Sequence, residues 1–361
     1  MPIDSKVRNV IKNHGHIKID DMMRQVLSLN DDSYYKTAKN IGEAGDFITS
    51  PEISQLFGEV IALWGIEKWQ LLGKPKEFAL VELGPGQGKL MQDFLRVAKL
   101  VPAFFNAANI HLMDINPNFI AKQKDNLAVY KKDIKWIAQI EELPAMPTIL
   151  ITNEFFDALP IKQYMKVKDK WFESILVADP IDGRIKYDKI ELHSALQTQL
   201  MLDYKTAQDG AIVEESIESL DVMRFLGKLL AKNSGAGLVV DYGYDIEPMD
   251  RKRNQYNSTL QAIKNHQYHS VISSLGEADL TAHVDFNALK KAASEQGVNL
   301  ANSKSFTQRD FLINYGIKIR LNSLQQKTSK EEREILERQV FRLIAHEQMG
   351  ELFKVLEVFS K

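Results

Sequence analysis

Apolar positions in the first part of the chain recur at helical spacing: Val7, Val10 and Ile11, then Met22, Met23, Val26 and Leu27. The segment GEAGDFITSPEI, residues 42–53, interrupts that pattern with Gly42, Gly45 and Pro51. Ser50-Pro51-Glu52 then has the form of a helix cap with proline in the first turn. A helix through Ile53, Phe57, Val60, Ile61, Trp64 and Trp69 follows. From Phe78 the pattern changes to short apolar runs: FALVELG (78–84), NIHLMDIN (109–116), IKWIAQI (134–140), TILITNEF (148–155) and GLVVDYG (237–243). Helical patterns at Leu90–Leu100 and Phe119–Leu127 lie between the earlier runs. Such alternation predicts an α/β chain with a doubly wound, largely parallel sheet, whose ligands bind at the carboxyl ends of the strands. Between the fourth and fifth runs, IKQYMKV and WFESILV alternate around the turn Lys168-Asp169-Lys170, and RIKYDKIEL follows Pro180-Ile181-Asp182-Gly183, which predicts a small antiparallel sheet. The expected organisation is a helical region over 1–75, a core formed by 76–160 and 221–361, and a β-hairpin and helix insertion at 161–220. Within the core, 245–280 reads as irregular and polar. Lys330–His346 reads as a charged amphipathic helix with a solvated face, and ELFKVLEVF as a final strand.

Composition narrows the partners. The chain has 361 residues, 44% of them hydrophobic and 26% charged, the balance of a globular protein with a substantial core. Lys and Arg total 46 against 48 Asp and Glu, so there is no electrostatic ground for expecting nucleic acid. The absence of cysteine excludes disulfides, zinc ribbons, Fe–S clusters and thiol nucleophiles. No run approaches the ~18 apolar residues needed for a membrane span. The N-terminal residues carry no signal or transit pattern, so a cytoplasmic location is the expectation.

The segment VELGPGQGKL places Gly84, Gly86 and Gly88 between an apolar strand and a helix, where backbone can approach a ligand and helix N–H groups point outward. A P-loop needs four residues between its first glycine and Gly-Lys, then Ser or Thr; here there are three, and Leu90 follows Lys89. The dinucleotide fingerprint requires glycine where Lys89 stands. What remains, Glu82 followed by Gly84, Gly86 and Gly88, resembles the first motif of class I methyltransferases, which bind S-adenosylmethionine. Asp114 and Ile115 end the next strand, where a carboxylate can accept from ribose hydroxyls; Asp114 also reads as a helix cap. Gln139 and Ile140 end the third strand at the adenine register. Asp133 is a rival for the adenine contact, at the start of that strand.

The fourth strand ends at Asn153-Glu154, beside the expected position of the transferable methyl group. Methyl transfer is an in-line displacement, so the enzyme has to align a nucleophile and exclude water. Glu154 and Asp157 supply two carboxylates that could hold a guanidinium acceptor. Asn153 suits the cofactor's amino-acid end or an acceptor amine. Two readings of Glu154 stand: a catalytic carboxylate, or one favoured by a helix start. By itself the segment holding Asp46 and Thr49 reads as a capped helix start. Asp241-Tyr242 ends the fifth strand on the ligand side. His283 and Asp285 could orient each other, and His266 and His269 have helical ligand spacing but no carboxylate partner, so no metal is expected.

Blocks distributed along the whole chain carry a resemblance. They are GDFITSPEISQLFGEVIALW (45–64), VELGPGQGKLMQDFL (81–95), TNEFFDALPIKQY (152–164), VVDYGY (239–244), GEADLTAHVDF (276–286) and QMGELFKVLEV (348–358). In this order they resemble the MidA-like family of class I S-adenosylmethionine-dependent methyltransferases, which includes a mitochondrial complex I assembly factor that methylates protein arginine. The resemblance implies a Rossmann-like class I methyltransferase core, a helical N-terminal lid and a β-rich insertion. It also implies symmetric dimethylation of arginine on a protein substrate, such as a complex I core subunit or its bacterial counterpart. The resemblance makes Asp46 and Thr49 candidates for the methionine end of the cofactor. Glu154 is similar to the first substrate-clamping glutamate of arginine methyltransferases, with Asp157 standing in for the second. The block STLQAIKNHQYH keeps Thr259, Leu260 and His266 but has Ser258, Ile263 and Lys264 where the family has Gly and Tyr-Arg, which leaves acceptor handling open.

Competing functions are a methyltransferase for another protein side chain or a small molecule, and an S-adenosylmethionine-binding assembly chaperone with little activity. A nicotinamide-dependent dehydrogenase is disfavoured by Lys89.

Overall fold

The computed structural model describes residues 3–37, 48–273 and 275–361, so Gly42, Gly45 and Asp46 lie outside the described residues. Each of the five apolar runs forms a strand of one sheet: β1 (Phe78–Leu83), β2 (Ala108–Met113), β3 (Ile134–Ile137), β4 (Thr148–Asn153) and β5 (Gly235–Tyr244). Two later strands join them, β6 (Lys304–Thr307) and β7 (Phe353–Ser360). The order is β3-β2-β1-β4-β5-β7-β6, parallel except for β7, which runs antiparallel to both neighbours. Val284–Asp285 pairs in parallel with the end of β5. The strand order reverses between β1 and β4, which opens a crevice at their carboxyl ends.

The runs are almost continuously apolar because the sheet is covered on both faces. Helices α1 (Gln55–Leu71) and α2 (Lys89–Ala98) bury Phe57, Trp64, Leu90 and Phe94 against Phe78, Leu80, Ile149 and Ile151. Helix α3 (Pro117–Leu127) flanks α2. On the opposite face, α4 (Ile217–Asn233) and α5 (Phe286–Ser294) bury Leu226, Leu230, Phe286 and Leu289 against Ala79, Val81, Leu150 and Val239. The charged helix near the C-terminus spans Lys330–Ile344 and turns Val340, Leu343 and Ile344 inward.

Several expectations need correction. The helix expected from Pro51 onward is two helices, Ser50–Ile53 and α1, because Ser54 is extended (φ −154°, ψ 133°) and its hydroxyl caps α1 by accepting from Leu56 N–H. Helix α1 was grouped by sequence with the N-terminal helices, yet it packs on the main sheet. The segment 245–280 is not irregular throughout. Gln261–Lys264 and Gln267–His269 form a hairpin, joined by Asp279–Thr281 in a three-stranded sheet. His266 and His269 therefore lie on an exposed hairpin, where helical ligand spacing does not apply.

The insertion forms the predicted antiparallel sheet from Lys162–Val167, Lys170–Ala178 and Ile185–Glu191. It also recruits Ile212–Glu215 and the N-terminal pair Ile17–Lys18. This sheet, the N-terminal helices and the three-stranded sheet share one core: Val7, Met22, Met23 and Leu27 meet Ile161, Leu176, Ala262 and Leu280. Buried Glu214 ties the parts together, accepting from Gln163 Nε2 (2.8 Å), Thr259 N–H (3.0 Å), Leu260 N–H (3.3 Å) and the Thr259 hydroxyl. Thr259 Oγ1 in turn accepts from His283 N–H at 2.9 Å.

The junction of β5 with Val284–Asp285 is tight enough to test. A Cβ on Gly243 would sit 2.1 Å from the Val284 carbonyl oxygen, with backbone on every near side. Gly243→Ala is expected to destabilise the fold by on the order of 2–3 kcal/mol, read as a shift of the urea midpoint.

Candidate active site

The crevice at the switch point is a cavity of 470 Å³. It is framed by two loops that start where strand ladders end. Gly84 N–H still donates to Met113 O (3.0 Å) as the last bond between β1 and β2. The backbone then turns through positive φ at Gly84 (65°), Gly86 (53°) and Gly88 (77°). Glycine is needed twice over at Gly84 and Gly88, because a Cβ would come within 3.1 Å of Phe155 and 3.2 Å of Gln123. Helix α3 clamps the loop from the side: Gln123 Nε2 donates to Gly86 O (2.7 Å) and Asn126 Nδ2 to Gln87 O (2.9 Å).

Asp114, at the end of β2, accepts from Asn116 N–H (2.8 Å) and from Gln123 Nε2 (2.7 Å). Burial raises its carboxyl to about 6 against those hydrogen bonds. Glu82, in register with Phe78 and Leu80, is pushed up to about 8 by burial and then by the Asp114 charge. Its Oε2 is buried without a partner among the described residues.

The second loop leaves β4. Glu154 N–H donates to Val240 O (2.9 Å), and the backbone then turns at Glu154 with φ +50°, a left-handed conformation rare outside glycine. The next N–H groups, of Phe156 and Asp157, both donate to Asp241 Oδ2 at 3.0 and 3.2 Å. Fully buried Asp241 is held well above the usual carboxylate range by burial and by the charges of Asp157 and Glu154. Glu154 Oε1 accepts from Ser50 N–H and Asn153 Nδ2, both at 3.2 Å. Burial first, and the Asp157 charge second, raise Glu154 to about 8. Asp157 accepts from the Tyr242 phenol and is raised by burial to about 6.

Glu82, Gly84, Gly86, Asp114, Ile115, Gln139, Ile140, Asn153, Glu154, Asp157 and Thr49 all line this one cavity. Ile115 is unusually exposed for an apolar residue (41%). Asp133 is exposed at the opposite end of β3 and is not in the lining. Asp46 lies outside the described residues.

A family model for S-adenosyl-L-methionine-dependent methyltransferases matches residues 60–304. The chain belongs to that family. The methyltransferase is 34% identical to the mitochondrial protein arginine methyltransferase NDUFAF7 of Xenopus tropicalis, over 96% of this chain and 83% of the relative. It is 32% identical to the Homo sapiens NDUFAF7, over 91% and 77%. Among solved structures, a COG1565 superfamily member from Burkholderia thailandensis, bound to S-adenosyl-homocysteine, superposes with a TM-score of 0.86. That match covers 99% of this chain and 91% of the other at 23% identity, a likeness of fold.

The residues present fit the family's cofactor. The glycine loop is crowded at Gly84 and Gly88, and Glu82 Oε2 and Asn153 Oδ1 are buried polar atoms without partners among the described residues. Asp114 keeps free lone pairs for ribose hydroxyls, and Ile115 offers an apolar face to a base. Gln139 both closes and caps the turn Ile140–Glu142. Two residues escaped the sequence reading. Gln123 is fully buried and joins Gly86, Asp114 and Trp136 Nε1 (2.8 Å); the available signal was a polar residue in register with Phe119 and Leu127 on the inward face of α3. Tyr35, from the N-terminal helices, lines the far side of the cavity. His283 and Asp285, which could have oriented each other, have separate structural partners instead. Asp285 caps α5 and binds Arg251 (3.2 Å), while the His283 ring meets Tyr242 edge-on at 5.4 Å.

An aspartate that accepts two ribose hydrogen bonds must be ionised, so if Asp114 has that role the part of the affinity for S-adenosylhomocysteine that depends on it is expected to be present above pH 7. It should weaken as pH falls through about 6, where the carboxyl takes up a proton. Titration calorimetry across pH 5–8 checks this, with Asp114→Asn expected to remove the pH dependence and weaken binding by on the order of ten-fold or more.

Proposed function

We propose that this methyltransferase transfers a methyl group to a guanidino nitrogen of arginine in a protein acceptor. The observation that carries the reading is charge. Glu82, Asp114, Glu154 and Asp157 line the cavity with no cationic partner among the described residues, Lys89 is the one basic residue of the described lining, and Glu218 at its edge is already paired with Arg24. Buried carboxylates without cationic partners are stabilised by a cationic guest, and an arginine side chain is a planar cation with several donors. The relatives named above are described as protein arginine methyltransferases.

Bound S-adenosylmethionine supplies an electrophilic methyl group on sulfur. The protein's part is to hold the acceptor in line and to manage charge. Glu154, fixed by Ser50 N–H and Asn153, accepts guanidinium N–H groups and concentrates positive charge away from the attacking nitrogen. Asp157, steadied by Tyr242, supports the same group from the next turn. As the C–N bond forms and the C–S bond breaks, the acceptor sheds one proton and leaves as a methylguanidinium with its original charge. Glu154, whose proton affinity is raised by burial, holds that proton until water removes it. The first acceptor to try is a core subunit of respiratory complex I or its bacterial counterpart, the substrate class that the family resemblance implies.

Labelled S-adenosylmethionine offered with arginine, lysine and small-amine acceptors tests the reading. Label is expected on arginine, and label confined to lysine or to a small molecule overturns it. Glu154→Gln is expected to lower kcat/KM by at least about 100-fold with S-adenosylhomocysteine affinity within about two-fold. In the wild type, kcat/KM should rise with pH and level off above about 8, because Glu154 of the free enzyme is protonated below that value.

A further inference from the structure

The arginine reading uses the loop after β4 and leaves two features unexplained: Tyr35 on the opposite cavity wall, and Asp279, the first aspartate of the block GEADLTAHVDF. They meet. Tyr35 sits in the helical turn Tyr34–Thr37, its ring edge-on to Tyr34 at 5.3 Å. Its phenol donates to Asp279 Oδ1 at 2.7 Å. Asp279 is 1% exposed, on the strand that completes the three-stranded sheet. Tyr35 lines the same cavity as Glu154 and Asp157, together with Leu27 and Ser28. The two sides also sense each other electrostatically: the Asp157 charge acts on Tyr35, and the Asp279 charge acts on Glu154.

A phenol has one proton. With that proton committed to a buried carboxylate, Tyr35 meets a cavity guest through its oxygen lone pairs, as a hydrogen-bond acceptor. A guanidinium has about five N–H donors spread around a plane, whereas an ammonium has about three at a point. Carboxylates on one side and an acceptor oxygen on the other therefore match the wider cation.

Building on the arginine reading, we propose that Tyr35 is an acceptor-binding residue whose oxygen takes an N–H of the guanidinium, and that Asp279 is the positioning residue that aims it. The N-terminal helices then form part of the acceptor site, and recognition depends on three parts of the chain far apart in sequence. The contrasting role for the pair is a latch that only fastens the N-terminal helices to the three-stranded sheet. A latch, when cut, lowers the unfolding midpoint without altering the choice between guests.

The test uses the full chain saturated with S-adenosylhomocysteine and two probes, N-acetyl-arginine amide and its neutral isostere N-acetyl-citrulline amide, titrated by NMR. Wild type is expected to prefer the arginine probe. Tyr35→Phe, which keeps the ring, should weaken arginine binding by about ten-fold, the equivalent of one hydrogen bond to a charged partner, weaken citrulline binding by only about two- to three-fold, since its N–H groups are neutral donors, and leave cofactor affinity unchanged. Asp279→Ala should behave like Tyr35→Phe, and Asp279→Asn, whose amide oxygen still accepts from the phenol, should restore most of the loss. Unchanged arginine affinity in Tyr35→Phe, with wild-type preference intact, overturns this proposal alone. Equal losses for both probes and for the cofactor, with a lowered unfolding midpoint, also overturn it in favour of the latch. No arginine preference in the wild type overturns the arginine reading and this proposal with it.

Discussion

Carboxylates withdrawn from water, with no basic partner among the described residues, are the constraint on which this site depends. Glu82, Asp114, Glu154, Asp157 and Asp241 are all raised, and in each case burial is the largest cause. Such groups oppose the folded state increasingly as pH rises from the ordinary carboxylate range through their raised values, because ionisation is easier in the unfolded chain. The two covered faces of the sheet, with Phe78, Leu80, Ile149 and Ile151 packed against α1 and α2, hold them in place. A guest bearing positive charge reverses the sign of the effect: the same burial that disfavours bare carboxylates strengthens their attraction to a cation. The fold thus keeps, at the ends of β1, β2 and β4, a set of groups whose free energy falls when the reactants arrive.

The geometry of those groups is secured by backbone rather than by other side chains alone. Asp241 accepts from the N–H groups of Phe156 and Asp157, so the loop after β4 is pinned to the end of β5. Gln123 does the equivalent on the cofactor side, joining the glycine loop to Asp114 from α3. Each half of the cavity therefore has one buried polar residue that fixes a loop to its neighbour. Neither is itself at the mouth of the site, and their loss would change positions before it changed chemistry.

Much of this was legible in the sequence because the signals were local. The run FALVEL followed by three glycines fixes a strand, a turn and a helix start within a few residues, and β1, the glycine loop and α2 lie where that pattern places them. Asn153-Glu154 was readable for the same reason. The polar segment 245–280 was not. Its strands are short, and what organises them is Glu214, contributed from the insertion and bonded to Thr259 and Leu260. A carboxylate that accepts backbone N–H groups from a remote segment leaves no periodicity in either stretch. Helix α1 was misgrouped because amphipathic spacing reveals a buried face without saying which partner covers it.

Glu154 adds one further argument about rigidity. Its φ of +50° is strained for a residue with a side chain, by roughly 1–2 kcal/mol. The conformation persists because both sides of the residue are held: its own N–H by Val240 O, and the following turn by Asp241. Glycine would relieve that strain but would remove the carboxylate, and an extended conformation would carry the side chain away from Ser50 and Asn153. The left-handed turn is therefore the one backbone arrangement observed here that lets β4 end in a carboxylate directed into the crevice. Its strain is carried by the strand pairing of β4 with β5, which continues to Asn153 and Val240 immediately before the turn.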